Sequence, residues 1–279
     1  MTEPLLAPRS ARMHVVIGLA LGGAALAVML VGRVETSVFF AALCIVAYYD
    51  MRQLLAPIGH RLTFALGAGA TLGLLWCGYS GRLQLMPSVA AGLVLVLLVS
   101  RVLLNEAGVQ PSVGITTDLA ATVAAFAVIG ALGAHVLLVR SVPRVGFKAL
   151  LMLGLAVFGN EAVGFAVGRA RGRHRLAPNI SASKTWEGAA AGFAVSVLVG
   201  LIAGIVMNPP FDVATGLTLG AGIGVLTPVG DLAFSAIKRS AGVKSSGSYL
   251  GPLGGALDVL DGLLFVAPAF YWALRLIAT

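Results

Sequence analysis

The stretch MHVVIGLALGGAALAVMLV, Met13–Val31, decides what kind of protein this is. It contains no Asp, Glu, Lys or Arg, and Arg9 and Arg12 stand just before it. A secretory signal has the same basic front, but its apolar core is only about 7–15 residues. Crossing the hydrocarbon of a bilayer takes about 20 apolar residues. The run is long enough to span, so it reads as a retained first helix, near 13–32. The same ruler, moved outward, finds further spans near 35–56, 62–80, 86–104, 118–139, 146–168, 187–207, 212–230 and 256–277. The expected fold is an all-α polytopic membrane protein with about nine transmembrane helices.

Composition agrees. The 279 residues are 58% hydrophobic and 11% charged, with a mean hydropathy of +0.97. A soluble domain carries about 25% charged residues. The net charge of +8 suits anionic headgroups and cytoplasmic loops better than nucleic acid. Basic residues are not interleaved with aromatics, so no nucleic-acid partner is expected. Cys44 and Cys77 sit in apolar runs without metal-ligand or CxxC spacing and read as small core residues. Glycines four apart, at Gly18/Gly22, Gly188/Gly192 and Gly200/Gly204, read as close helix–helix contacts.

Breakers and charges gather in the connections: Asp50–Arg61, Ser80–Met86, Arg101–Asp118, Arg140–Lys148, Arg169–Lys184, Asn208–Asp212 and Leu232–Gly255. The connection RARGRHRLAPNISASK holds Arg169, Arg171, Arg173, Arg175 and Lys184 with no acid. The positive-inside rule places it in the cytoplasm. Alternation then brings Lys238, Arg239 and Lys244 to the same side but sends Arg140, Arg144 and Lys148 to the other, against the rule. Residues 1–145 form N-terminal transmembrane helices, and 146–279 form a transmembrane region carrying a cytoplasm-facing polar site.

Ionisable groups within membrane spans are rare and mark functional pathways. They concentrate at Asn160-Glu161, at Ser181–Glu187, and from Asp231 to Asp261. Asp258 and Asp261 lie one helical turn apart and share a face. Like carboxylates at that spacing repel unless a cation sits between them. Mg²⁺ takes such oxygens together with phosphate oxygens and water. Gly242, Gly247, Gly251, Gly254 and Gly255 loosen the backbone for close approach to phosphate. A structural network, with Lys238 bridging the aspartates, is the alternative.

The segment GDLAFSAIKRSAGVKSSGSYLGPLGGALDVLD, Gly230–Asp261, resembles the signature of the phosphatidate cytidylyltransferase (CDP-diacylglycerol synthase) family. That pattern reads roughly S-x-x-K-R-x-x-G-x-K-D-x-G-x-x-L-P-G-H-G-G-x-L-D-R-x-D. Ser235, Lys238, Arg239, Gly242, Lys244, Gly247, Leu250, Gly254, Gly255, Leu257, Asp258 and Asp261 match in register. Upstream, APNISASKTWEG is similar to the family's S-P-x-K-T-W-E-G box through Ser181, Lys184, Thr185, Trp186, Glu187 and Gly188. Glu161 falls where the family has an aspartate. Ser245, Leu253 and Val259 stand where the pattern has Asp, His and Arg.

The resemblance implies an enzyme, a nucleotidyltransferase that moves CMP from CTP to phosphatidate and releases pyrophosphate. It implies Asp231, Asp258 and Asp261 as ligands of Mg²⁺, and Lys184, Lys238, Arg239 and Lys244 as the catalytic cations on phosphate. Ser181, Thr185, Ser235, Glu187, Gly254 and Gly255 would bind substrate, with Glu187 and Glu161 orienting the cations or extending the metal site. The expected partners are CTP, phosphatidic acid or another lipid phosphate, and the bilayer; a homodimer is considered as well. The expected location is the inner (plasma) membrane. A non-catalytic paralogue binding lipid or nucleotide, an enzyme of another lipid phosphate, and a transporter stay open as other readings.

Overall fold

Apolar runs in a membrane must satisfy their own backbone, and the helix does so within one segment. The computed structural model describes residues 8–60, 62–106, 114–207 and 211–277. Its helices are α1 (Pro8–Val31), α2 (Arg33–Leu55), α3 (Phe64–Ser80), α4 (Met86–Glu106), α5 (Ile115–Phe126), α6 (Leu132–Ser141), α7 (Gly146–Arg171), α8 (Trp186–Val206), α9 (Val213–Ser240) and α10 (Ala256–Ile277). A π-turn over Ala127–Ala131 joins α5 to α6, so these two make one span, Thr116–Ser141. Each of the nine expected spans therefore coincides with a helical segment. Seven stretches among the described residues are long and apolar enough to cross a bilayer, with shorter apolar stretches at Ala20–Val31 and Phe64–Ser80. This is a multi-pass, helical membrane protein. Parts of the expected connections Arg101–Asp118 and Asn208–Asp212 lie outside the described residues.

Two boundaries differ from expectation in ways that matter. The helix α9 does not stop at residue 230 but runs to Ser240, despite Pro228 inside it. Lys238 and Arg239 thus ride the last helical turn, where cations also complement the helix dipole. The connection after α7 is not purely loop either. Arg175–Ala177 and Ser181–Thr185 pair as a small antiparallel ribbon, the one sheet among the described residues and an exception to the all-α expectation.

Glycine sets how closely α7, α8 and α9 approach. A Cβ on Gly192 would strike Asn160, and one on Gly200 would fall against the Gly216 carbonyl of α9. Buried Asn160 fastens the same three helices, donating to Ser196 Oγ at 3.0 Å and the Gly224 carbonyl at 3.3 Å. Gly188 and Gly204 pack equally tightly, whereas Gly18 and Gly22 have open space beside them. The expected contact at that first pair is therefore absent among the described residues. Cys44 and Cys77 are free and buried. The helix α10 packs against α9, α6 and α2, and its buried face joins a core shared with the N-terminal helices.

Candidate active site

The end of the bundle where α7 and α9 finish and α8 and α10 begin collects the polar residues. The ribbon strand Ser181–Thr185 carries Lys184 to α9, where its ammonium pairs with Asp231 Oδ2. Asp231 Oδ1 accepts from Ser235 Oγ, one turn along, at 3.3 Å. One further turn reaches Lys238, only 7% exposed. Its Nζ lies 2.7 Å from Asp258 Oδ1 and 3.5 Å from Asp261 Oδ2 on α10. The cation between the two aspartates is thus the protein's own.

Asp258 Oδ2 is used on the loop that precedes it. It accepts from Ser246 N at 2.8 Å, Ser246 Oγ at 2.9 Å and Gly255 N at 3.0 Å. That arrangement fixes Lys244–Gly255 over the start of α10. Gly255 is needed there, because a Cβ would collide with Asp50 and Ser246. Gly254, at φ 86°, takes the left-handed turn into the helix.

Glu161 lies on α7 behind this cluster, and a Cβ on Gly262 of α10 would meet its Oε1. The charges of Asp261, Asp231, Lys184 and Lys238 all act on it. Its Oε1 is buried with no hydrogen-bond partner. Two lysines and four carboxylates from α7, β2 (Ser181–Thr185), α9 and α10 therefore form one group. Among the described residues, no three His, Cys, Asp or Glu side chains already meet in metal-holding geometry. The donor chemistry nonetheless fits a hard cation: every candidate ligand is a carboxylate oxygen, one is orphaned, and Mg²⁺ ordinarily completes its shell with phosphate oxygens and water.

Other expected residues lie near but are engaged differently. Arg239 is exposed and donates to the Ile180 carbonyl at 3.2 Å, pinning the ribbon to α9. Lys244 is exposed on the loop. Ser181 is buried on β2. Thr185 acts as the α8 N-cap, its Oγ1 accepting from Gly188 N at 3.1 Å. Thr185→Ala should lower stability by about 1 kcal/mol, read as a reduced melting temperature in detergent that Thr185→Ser largely restores. Glu187 pairs with His174 Nδ1 at 2.7 Å. With Arg171 and Arg173 these two line an open cavity of about 670 Å³. The Ser245 hydroxyl turns to the Gly247 carbonyl at 3.0 Å, so Ser246, not Ser245, touches the carboxylates.

Two residues at this end are not among the candidate site residues that the sequence offers. Asp50, 2% exposed on α2, accepts from Tyr249 Oη at 2.7 Å and Leu257 N at 3.1 Å. Tyr249 Oη in turn accepts from Ala256 N at 2.6 Å. Burial, reinforced by the Asp50 carboxylate, pushes the Tyr249 phenol up, so it stays protonated as the donor in that pair. Gly255, Ala256 and Leu257 would otherwise leave open N–H groups at the start of α10. Asp258, Tyr249 and Asp50 satisfy them in order.

Comparison with known proteins fits this geometry. The pattern of the cytidylyltransferase family matches residues 12–277. A protein of Mycobacterium bovis named phosphatidate cytidylyltransferase is 30% identical over 298 residues, covering 99% of this chain and 92% of that one. A protein of the same name from Brucella abortus is 35% identical over 134 residues, covering 48% of this chain and 49% of that one.

Proposed function

Since the chain belongs to the cytidylyltransferase family, we propose that it transfers CMP from CTP to phosphatidate, giving CDP-diacylglycerol and pyrophosphate. The observation that carries this reading is the lysine–carboxylate group at one membrane end, inside a match that spans nearly the whole chain. A phosphate monoester has its second pKa near ~6, so phosphatidate arrives largely dianionic and needs no general base. Its oxygen attacks the α-phosphorus of CTP; the bond from that phosphorus to the bridging oxygen breaks, and pyrophosphate leaves with the electron pair.

The obstacle is charge, and phosphoryl-type transfer is met chiefly by positioning and electrostatic stabilisation. Lys184 and Lys238 are held by aspartates within the helices, so each presents a fixed cation without reorganising. Arg239, Lys244, Arg171 and Arg173 extend the positive field toward the open cavity, where a triphosphate enters. Asp231, Asp258 and Asp261 would hold Mg²⁺, with Glu161 behind them. When bound, that ion would neutralise charge on the triphosphate and the leaving pyrophosphate. Asp258 also keeps the glycine loop in place, and Ser235 holds the Asp231 carboxylate.

In this reading the site faces the cytoplasm from the inner (plasma) membrane, where CTP is made available. A cysteine introduced as Arg173→Cys should be shielded from an impermeant thiol reagent in intact cells; labelling from outside would reverse the topology. For the reaction, purified protein in phosphatidylcholine vesicles should release pyrophosphate only when CTP and phosphatidate are both supplied. Release with CTP alone would mean hydrolysis, and release with a different lipid phosphate only would move the assignment to that lipid.

A further inference from the structure

The opposite end of the bundle carries basic residues that the transfer reaction does not use. Arg33 opens α2, Arg82 follows α3, and Arg140 lies in the last turn of α6. Helix alternation puts them across the membrane from Arg169–Lys184, although the positive-inside rule disfavours basic residues at both ends. Something at that end must repay the arginines.

Their surroundings say what. The guanidiniums of Arg33, Arg82 and Arg140 lie over the rings of Tyr79 at 4.8 Å, Trp76 at 5.8 Å and Phe147 at 5.8 Å. Arg33 also donates to the Tyr79 carbonyl, and its charge acts on Arg140. The Nε of Arg33 and of Arg140 is buried with no hydrogen-bond partner among the described residues. The ion pairs formed among those residues include none of the three arginines. Beside them an apolar groove of about 260 Å³ lies between α2, α3 and α6, lined by residues including Val34, Val38, Leu72, Trp76, Tyr79 and Leu137. Trp76 and Tyr79 serve both as ring partners and as groove wall. From Tyr79 to Leu72 the wall descends about 10 Å along α3, at 1.5 Å per residue.

Guanidiniums gathered at one membrane end repel, and aromatic faces soften that repulsion without neutralising it. A phosphate between them removes the repulsion and accepts from guanidinium N–H groups in a matching planar geometry. The apolar groove, at membrane depth, accepts hydrocarbon. One molecule of the bilayer offers both. We propose that the groove between α2, α3 and α6, at the membrane end that carries Arg33, Arg82 and Arg140, binds an anionic phospholipid of the leaflet opposite the active site, phosphate on the guanidiniums and one acyl chain along α3.

The test uses the purified full chain titrated with phosphatidylglycerol in phosphatidylcholine vesicles, with retained lipid counted by native mass spectrometry and melting temperature followed in parallel. Phosphatidylglycerol should be retained and should raise the melting temperature. The double variant Arg33→Gln/Arg140→Gln should bind it roughly fivefold more weakly for each guanidinium removed. Arg171→Gln/Arg173→Gln, at the other end, should keep parental affinity for this lipid. Ala41→Trp, which fills the groove without touching an arginine, should lose the lipid as well and serves if the double variant does not fold. Parental retention in both Ala41→Trp and the arginine variant would overturn the proposal. So would equal retention of phosphatidylcholine, or a melting shift reproduced by inorganic phosphate alone.

Discussion

Lys238→Met should abolish cytidylyl transfer and also lower stability by about 3–5 kcal/mol, the usual result of removing one partner from a buried ion pair. The methionine matches the lysine stem in volume, so packing is nearly conserved. What is lost is the charge between Asp258 and Asp261, which then face each other on one turn of α10 with no cation of the protein's own between them. Removing a single preorganised electrostatic group typically costs about 10²–10³ in rate, and here the same change also disturbs two carboxylates. Added Mg²⁺ should recover part of the melting temperature of Lys238→Met, because a divalent cation can occupy the vacated place, while leaving transfer unrestored. A variant with parental turnover would remove Lys238 from the mechanism.

Asp50→Ala should leave a folded protein with kcat reduced about 100-fold, the scale at which a misplacement of ~1 Å acts. The substitution strips the acceptor from Tyr249 Oη and Leu257 N. Each donor left buried and unpaired costs about 1–3 kcal/mol. The start of α10 and the loop fixed by Asp258 then lose their anchor on α2. Asp50 touches no reacting atom in this account; it is a positioning residue. The KM for CTP should therefore change much less than kcat, and Asp50→Asn, which keeps a carbonyl acceptor, should recover a part. Tyr249→Phe should have a smaller effect, and the double variant should fall short of additivity by about 0.5–3 kcal/mol. Strict additivity would mean that the two side chains do not act as one unit.

The spans were legible because their signal is one of length: each long apolar run met the bilayer ruler, and each became helix. The end of α9 was not, because Lys238, Arg239 and the surrounding serines look like loop when counted as polar residues. In the fold both cations ride the helix, with Lys238 paired to Asp258 and Asp261 of α10 and Arg239 bound to the ribbon. The ribbon at Ser181–Thr185 was hidden for a related reason: two short strands carry too few residues for a period to show. Lys184, Asp231, Lys238, Asp258 and Asp261 were recognisable because ionisable residues are rare in such a chain, and Ser235 through the resemblance. That same rule applies to Asp50, a lone acid within an apolar stretch, which was counted with the adjoining connection and so passed over. Tyr249 gave no signal at all; its role arises from a contact with a residue 199 positions away. The pairing of Glu187 with His174 was equally unreadable, since a chain turn had to bring them together.

The most direct measurement follows the α-phosphorus of CTP. Purified protein in phosphatidate-containing vesicles with Mg²⁺ is given CTP labelled at that position, and the lipid is extracted. The account predicts label in CDP-diacylglycerol from the parent, and background label from Lys238→Met assayed alongside. A parent that leaves all label in the aqueous phase across the whole range of Mg²⁺ concentration would contradict it.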